Sequence, residues 1–385
     1  MRLLLVNAHG SDLAAGGAER YVSELASGFE RRGDTAFVLS AFPSRVRGFG
    51  RRTFVLHATD WRDDKRRRIK NHLGDLLSKP SGRLRDAVRT INPDLVHTNN
   101  LPGLSTAIWE VCRRLRIPVV HTIHDYYLLC PRVTLARRDG TSCCAHATFC
   151  KTRTARLMRW SAGVGDVITV SDHVRRRHAG LFEGARFHVV RIPVTPRSNE
   201  RFTAPRKPPK TIGYLGVLET AKGIEHLVEA APALADLGYV VQIAGDGRLR
   251  DLVEEAALRG QVRYHERVHG DEKARFIEST DLAVVPSRWE EPGGPPYSIA
   301  EWLAAGRPVI ASRRGGLAEL PHLFDGVIPM DGGAAGIVAA VRGVADRWRE
   351  VVATVDGRDG QAMDGWLDRH REVYELALEQ PRQPR

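Results

Sequence analysis

The sequence is poor in cysteine, with five in 385 residues, and an odd count without an export signal argues against a disulfide framework. No stretch approaches the roughly 20 apolar residues needed to cross a bilayer, so a spanning helix is not expected. The opening MRLLLVNAHG carries a short apolar run but neither the longer apolar core nor the cleavage site of a secretory signal. A cytoplasmic protein is therefore expected, associated at most with the inner face of the cell membrane. Nucleic-acid-binding motifs and interleaved aromatic ladders are also missing, which removes nucleic acid from the expected partners.

What is present is a chain with 42% apolar and 27% charged residues, the balance of a folded globular protein. Its length exceeds a single ordinary core and implies two domains. The net charge of +12 comes mainly from arginine, clustered in residues 45–52, 62–70 and 175–177. Such clusters read either as a solvated basic face or as a surface for an anionic membrane.

The opening RLLLVNA is a buried-strand pattern, followed by Gly16-Gly17-Ala18 and the helical periodicity of ERYVSELASGFERRG. Further strand-like runs are TAFVLS, DLVHT, PVVHTIH, DVITV and FHVVRI, separated by polar segments of helical character such as LSTAIWEVCRRL. Alternation of this kind implies a parallel sheet covered on both faces. Proline and basic residues then crowd together in residues 203–210, a linker composition where a hinge is expected. The pattern restarts with TIGYLGVL, a helix from Ile224 to about Leu237, VVQIAG, a helix from Arg248 to Leu258, VRYHERV, DLAVVPS and PVIAS. The expected fold class is α/β, with two Rossmann-like doubly wound domains facing across a cleft. Residues 1–205 form the first, 206–360 the second, and a helix over 361–380 packs back on the first. Ligands in open α/β sheets sit at the carboxyl ends of the strands.

Two motifs carry chemistry. In GYLGVLETAKG, residues 213–223, a strand ends in a loop that places Lys222 just before a helix start, where unpaired N–H groups and the helix dipole suit a diphosphate. In PSRWEEPGGPPYSIAEWLAAGRPVIAS, residues 286–312, carboxylates flank a Gly/Pro-rich turn. Carboxylates accept hydroxyl hydrogen bonds in pairs, which suits vicinal diols.

With GGAER, HTIHDYYLLCPR, GVLETAKG, AGDGR, PSRWEEP and EWLAAGRPVIAS, the chain resembles, over nearly its whole length, the retaining glycosyltransferases of group 1, which have the GT-B fold. The resemblance implies transfer of a hexose-type sugar from a UDP or GDP donor to an acceptor hydroxyl, the acceptor being a glycan, a lipid-linked precursor or a small molecule. It implies that Lys222 contacts the donor diphosphate and that Glu301 holds the ribose hydroxyls. Glu291, or Glu290, would bind the donor sugar, and the N–H groups of Tyr297 and Ser298 would meet the phosphates. Gly16 and Gly17 would let the first loop approach the donor from the opposite domain, and Gly216 is the glycine of the phosphate loop in the donor site. His124 stands where the family places a histidine near the transferred sugar, able to donate to a sugar oxygen or stabilise charge. His121 and His97 are weaker candidates of the same kind.

Three departures stand out. Val217 follows Gly216 where the family commonly has arginine. Glu291 and Glu301 are ten residues apart rather than the family's eight, and Pro295 and Pro296 remove N–H donors from the turn between them. No Asp-x-Asp triplet is present, so no cofactor and no divalent metal are expected. Lys222, helix N-termini and Arg267, Arg288 or Arg313 would carry the neutralising charge. Cys130, Cys143 or Cys144, His146 and Cys150 offer soft ligands for zinc at irregular spacing, against the alternative of reduced thiols in a long loop. A non-catalytic nucleotide-sugar-binding regulator or partner subunit is the second reading of the whole chain.

Overall fold

The computed structural model describes residues 1–9, 16–42, 52–56, 74–77, 79–137, 140–143, 148–195, 207–355 and 363–379. By contact the chain divides into two compact units. One holds Met1–Thr134, Cys144–Arg191 and Asp364–Arg385, the other Leu135–Cys143 and Ile192–Met363.

The first unit is built on a parallel seven-stranded sheet of order β3-β2-β1-β4-β5-β6-β7. Its strands are β1 Arg2–His9, β2 Thr35–Phe42, β3 Thr53–Val55, β4 Leu95–Thr98, β5 Val119–Ile123, β6 Asp166–Thr169 and β7 Arg186–Val189. The helices are α1 Gly17–Arg31, α2 Gly82–Ile91, α3 Ala107–Leu115, α4 Thr148–Met158 and α5 Asp172–His178. Leu3, Leu4, Leu5 and Val6 in β1 are all fully buried, since β1 lies in mid-sheet with both faces covered. Two helices start on side-chain caps: Ser81 Oγ accepts from the Leu84 N–H and Ser171 Oγ from the Val174 N–H, both at 3.2 Å. Of the basic cluster at the end of α5, Arg175 and Arg176 both pair with Asp172 in its first turn.

A last helix of this unit, Met363–Leu378, packs on α1. Trp366, His370 and Tyr374 are fully buried on its inner face. A Cβ at Gly28 of α1 would come within 2.6 Å of Leu367 Cδ1, so the two helices approach as closely as glycine allows. Arg32 pairs with Asp364 and Asp368 at the rim, and Arg371 with Asp34. The two Arg32 pairs, with exposed carboxylates, contribute about 0.2–1 kcal/mol each, less than burying the aromatic face of the helix.

The second unit carries a parallel six-stranded sheet of order β10-β9-β8-β11-β12-β13. The strands are β8 Thr211–Leu215, β9 Val240–Ala244, β10 Arg263–Tyr264, β11 Leu282–Val285, β12 Val309–Ser312 and β13 Val327–Met330. Helices α6 Ile224–Asp236, α7 Arg250–Leu258, α8 Gly270–Glu278, α9 Tyr297–Ala304, α10 Gly333–Asp346 and α11 Trp348–Thr354 cover it, and the terminal helix Met363–Leu378 is α12. Strand β11 shows why its sequence is apolar throughout. Leu282 and Val284 enter the core built by α6, α10 and α11, while Ala283 enters the opposite core with Trp302 of α9 and Phe276 of α8. Pro329 sits in β13, an edge strand with no neighbour beyond it, where the missing N–H costs no ladder bond.

In the expected linker, residues 203–206 lie outside the described residues, as do residues 45–51 and 62–70 of the basic clusters. Among the described residues no helix is long and apolar enough to cross a membrane.

Candidate functional site

In the second unit the two motifs meet at the carboxyl ends of β8 and β11. The Arg288 N–H donates to the Ala221 carbonyl at 2.9 Å, and a Cβ on Gly223 would stand 1.9 Å from the Pro286 carbonyl oxygen. Gly223 also has φ 71°, so only glycine lets the chain turn from Lys222 into α6 against that strand end. The turn aims Lys222 at the second motif. Its Nζ donates to Glu291 Oε1 at 2.6 Å and lies 5.0 Å from the centre of the Trp289 ring. Ser287 Oγ donates to the same Glu291 oxygen at 2.6 Å. Glu291 is buried, and its backbone is pinned where the Gly316 N–H meets the Glu291 carbonyl. Between the two pairs of Glu291 and Glu290, Glu291 is thus the carboxylate that meets Lys222. The buried Tyr214 hydroxyl donates to the Val217 carbonyl at 2.7 Å. Burial raises its pKa, and the Glu291 and Glu225 charges add to the rise.

Glu301 lies on α9, whose first two residues are Tyr297 and Ser298. The Glu301 carboxylate accepts from Lys273 Nζ of α8 at 2.8 Å, with both side chains largely buried. The Gly/Pro turn of residues 292–296 therefore delivers the chain into a helix N-terminus directly after Glu291.

The phosphate-loop glycine, Gly216, is engaged through its backbone. The Gly216 N–H donates to the Ala244 carbonyl at 3.1 Å, and a Cβ on Gly245 would stand 1.8 Å from the Gly216 carbonyl oxygen. Gly216 is used for backbone contact between the loops after β8 and β9, and its amide is committed there. Val217 beside it is 52% exposed. Arg267 is exposed between β10 and α8, Arg313 is exposed just after β12, and Arg288 stands 4.0 Å from Glu225.

In the first unit His124 follows the carboxyl end of β5. Its Nε2 lies 2.8 Å from Asn99 Oδ1, and its ring meets Tyr21 of α1 edge-on at 4.5 Å between centres. The Tyr21 hydroxyl is in turn hydrogen-bonded to His370 Nε2 of α12. Burial, with the nearby His370, lowers the His124 pKa to about 3, which keeps the ring neutral. A small pocket at this strand end is lined by Asn99, His124, Asp125 and Tyr127. Burial raises the Asp125 carboxyl to about 6 against the hydrogen bond from the Tyr127 N–H. A separate hollow bordered by Glu30, Asp34, Thr35 and Arg52 lies at the amino end of β2, the wrong end of the sheet for a ligand site of this fold.

Two weaker candidates turn out to be packing residues. His97 is fully buried, with Nδ1 2.7 Å from the Tyr374 hydroxyl and Nε2 2.6 Å from Thr122 Oγ1. His121 is buried with Nδ1 3.0 Å from Thr98 Oγ1. In both strands the histidine sits where a threonine hydroxyl satisfies it. Gly16 precedes α1 in extended backbone, and Glu19 lies 2.7 Å from where its Cβ would stand, while Gly17 is the first residue of α1. Cys130 is buried, and Cys143 and Cys150 are half-buried free thiols, whereas Cys144 and His146 lie outside the described residues. Among the described residues no group of three or more metal-ligating side chains is assembled.

Residues 15–197 match the glycosyltransferase family 4 domain and residues 209–347 the glycosyl transferases group 1 domain. The chain belongs to the group 1 glycosyltransferases. A Klebsiella pneumoniae protein of 42.6 kDa, uncharacterised and lying in a cps region, is 26% identical to this glycosyltransferase over 259 residues, 66% of this chain and 67% of that one. The 2-deoxystreptamine glucosyltransferase of Streptomyces kanamyceticus is 29% identical over 232 residues, 58% of this chain and 57% of the relative's length. In fold, this glycosyltransferase is similar to HepE of Anabaena in complex with UDP, with TM-score 0.69, 18% identity and 98% and 99% of the two chains covered. It is also similar to sucrose-phosphate synthase of Thermosynechococcus elongatus, with TM-score 0.64, 18% identity and 98% and 96% covered. With its two parallel sheets, the fold is GT-B.

Sequence reasoning missed three partners of the candidate residues in this glycosyltransferase. Ser287 lay inside the quoted motif, and its spacing of four from Glu291 was the available signal. Lys273 on a polar helix and Asn99 in an asparagine pair gave none.

Proposed function

We propose that this glycosyltransferase moves a hexose-type sugar from a UDP or GDP donor to an acceptor hydroxyl, with retention at the anomeric carbon and without a divalent metal. The observation that carries the reading is the convergence of Lys222, Glu291 and the α9 N-terminus at the carboxyl ends of two adjacent strands. In this account Lys222 and the first amides of α9 hold the diphosphate and stabilise the charge it gains as it leaves. Glu291 holds hydroxyls of the sugar, and Glu301 the ribose. As a binder already shared between Lys222 and Ser287, Glu291 is not the nucleophile. The departing phosphate oxygen takes the acceptor's proton on the same face of the sugar.

The nucleotide is supported by HepE, solved in complex with UDP and with UDP and glucose. The relative that is a 2-deoxystreptamine glucosyltransferase supports a small-molecule acceptor hydroxyl, and the relative from a cps region supports a glycan acceptor. The exposed arginines suit brief contact with an anionic membrane carrying a lipid-linked acceptor.

A thermal-shift panel of UDP-, GDP-, ADP- and dTDP-sugars tests the donor. A ligand at about 100 times its Kd adds roughly 2.7 kcal/mol to native stability, so UDP- or GDP-sugars are expected to raise Tm. No shift with any nucleotide sugar sinks the reading, and an inverted anomer in the product sinks retention.

A further inference from the structure

Asn99 follows the carboxyl end of β4 and is 1% exposed. Its side-chain nitrogen, Nδ2, faces two backbone carbonyls, those of Val6 and His97, each at 3.4 Å. Carbonyl oxygens only accept, so both hold the NH2 end of the amide on that side. The amide oxygen is thereby turned the other way, to 2.8 Å from His124 Nε2. An amide oxygen also only accepts. The ring nitrogen that faces it must therefore carry a proton.

A neutral imidazole has one N–H, and the low pKa of His124, set by burial and by His370, keeps the ring neutral. With the proton at Nε2, the lone pair is at Nδ1. That atom has no hydrogen-bond partner among the described residues. The ring cannot swing away easily, because Tyr21 stands edge-on against it and the Tyr21 hydroxyl is tied to His370 of α12. His370 is itself fixed, with Nδ1 2.7 Å from the Trp366 carbonyl, so that its own N–H is spent there.

We propose that Asn99 is a positioning residue that locks His124 in the Nε2–H tautomer, so that His124 meets the transferred sugar as a hydrogen-bond acceptor at Nδ1 and takes a sugar hydroxyl as its donor. This rests on the reading of His124 as a sugar contact and reverses the direction expected from the sequence, in which the histidine donates. It also makes the position a filter. A sugar with a hydroxyl there is bound, and one with only an acceptor there sets two lone pairs against each other.

The tautomer is read directly by 15N NMR of the histidine-labelled wild-type protein near pH 7.5, with the His124 signals identified by their loss in His124→Phe. Expected is an unprotonated Nδ1 and a protonated Nε2. The reverse pattern in the wild-type protein overturns the proposal. In Asn99→Leu the lock is gone, so the His124 signals shift toward a mixture of tautomers, and unchanged signals in a folded variant overturn the role of Asn99.

Donor analogues with single hydroxyls replaced by fluorine then test the sugar. At one position fluorine is expected to weaken binding about tenfold in the wild type and not in His124→Phe. If the parent donor binds and every fluorinated analogue binds equally well, the acceptor role falls. If no nucleotide sugar binds at all, the donor reading fails instead, and the NMR result separates the two failures.

Discussion

The candidate residues of the second unit are charged and paired with one another, Lys222 with Glu291 and Lys273 with Glu301. Those around His124 in the first unit are neutral: His97, His121, His124 and His370 are all held below the usual imidazole range by burial. The difference follows the chemistry proposed for each. A leaving diphosphate needs fixed countercharge, whereas a sugar ring presents hydroxyls that neutral acceptors and donors can sort. Each arrangement has its own weakness. Ion pairs tolerate acid until the carboxylates protonate, but buried neutral histidines oppose it from the start of the imidazole range.

That contrast is sharpest in acid. His97, His121, His124, His178 and His370 have native pKa values depressed below about 6.5, the unfolded value, so in weak acid the unfolded chain binds protons that the native chain refuses. Their stability is full above pH 6.5 or so and is lost as pH falls toward about 4. Asp75 and Asp125 act the other way, since burial raises them to about 6 and the native state takes up their protons first. Five histidines against two carboxyls leaves a net loss, on the order of a few kcal/mol per pH unit between about pH 6 and pH 4. Hydrogen exchange followed down this range is expected to show the first unit opening before the second. Simultaneous opening, or the second first, breaks the comparison.

Removing the charge from the second unit affects transfer. Lys222→Ala is expected to lower kcat by about 10²–10³, the scale for losing one preorganised stabiliser of developing charge. Glu301→Ala should raise donor KM more than it lowers kcat, because ribose binding is alike in ground and transition states. Both variants should stay folded, as neither side chain supports a core cluster. Steady-state kinetics with circular dichroism as a folding check decides. Near-wild-type rates in both would remove this donor site.

The parts of the molecule that could be read from sequence are those where local chemistry and tertiary use agree. Strand β1 is apolar because both its faces are buried, and Lys222 and Glu291 stand in motifs whose glycines are needed where the loops touch. What escaped reading depends on contacts remote in sequence. Tyr21 and His370 are 349 residues apart, and no local pattern joins them. A histidine in a strand end looks the same whether it faces a ligand, as proposed for His124, or fills a core beside a threonine hydroxyl, as His97 and His121 do. Strand β13, which is not among the strand-like runs read from the sequence, contains Pro329, which an edge strand accommodates.

Lys273 gives a smaller effect and a finer test. Its ammonium is within 2.8 Å of Glu301, so Lys273→Met leaves that largely buried carboxylate without its cation and free to turn. Donor KM is expected to rise about tenfold, consistent with losing one charge-assisted hydrogen bond of roughly 1.5 kcal/mol. The preference for ribose over 2′-deoxyribose donors should shrink in parallel. A variant with weakened binding but intact sugar discrimination would place Lys273 outside ribose recognition.

The smallest change expected is at Val217. This side chain is 52% exposed, and its carbonyl accepts from the Tyr214 hydroxyl. Val217→Arg would place a guanidinium on the loop that ends in Lys222, the residue type the family resemblance implies there. Stability should change by less than about 0.5 kcal/mol, as for most exposed substitutions. An added exposed cation near a diphosphate is worth about 0.2–1 kcal/mol in binding, so donor KM is expected to fall two- to fivefold, and less at high salt because the charge is screened. If KM stays unchanged at low salt, the diphosphate does not lie near this loop. The charged character of the second unit would then rest on Lys222 and α9 alone.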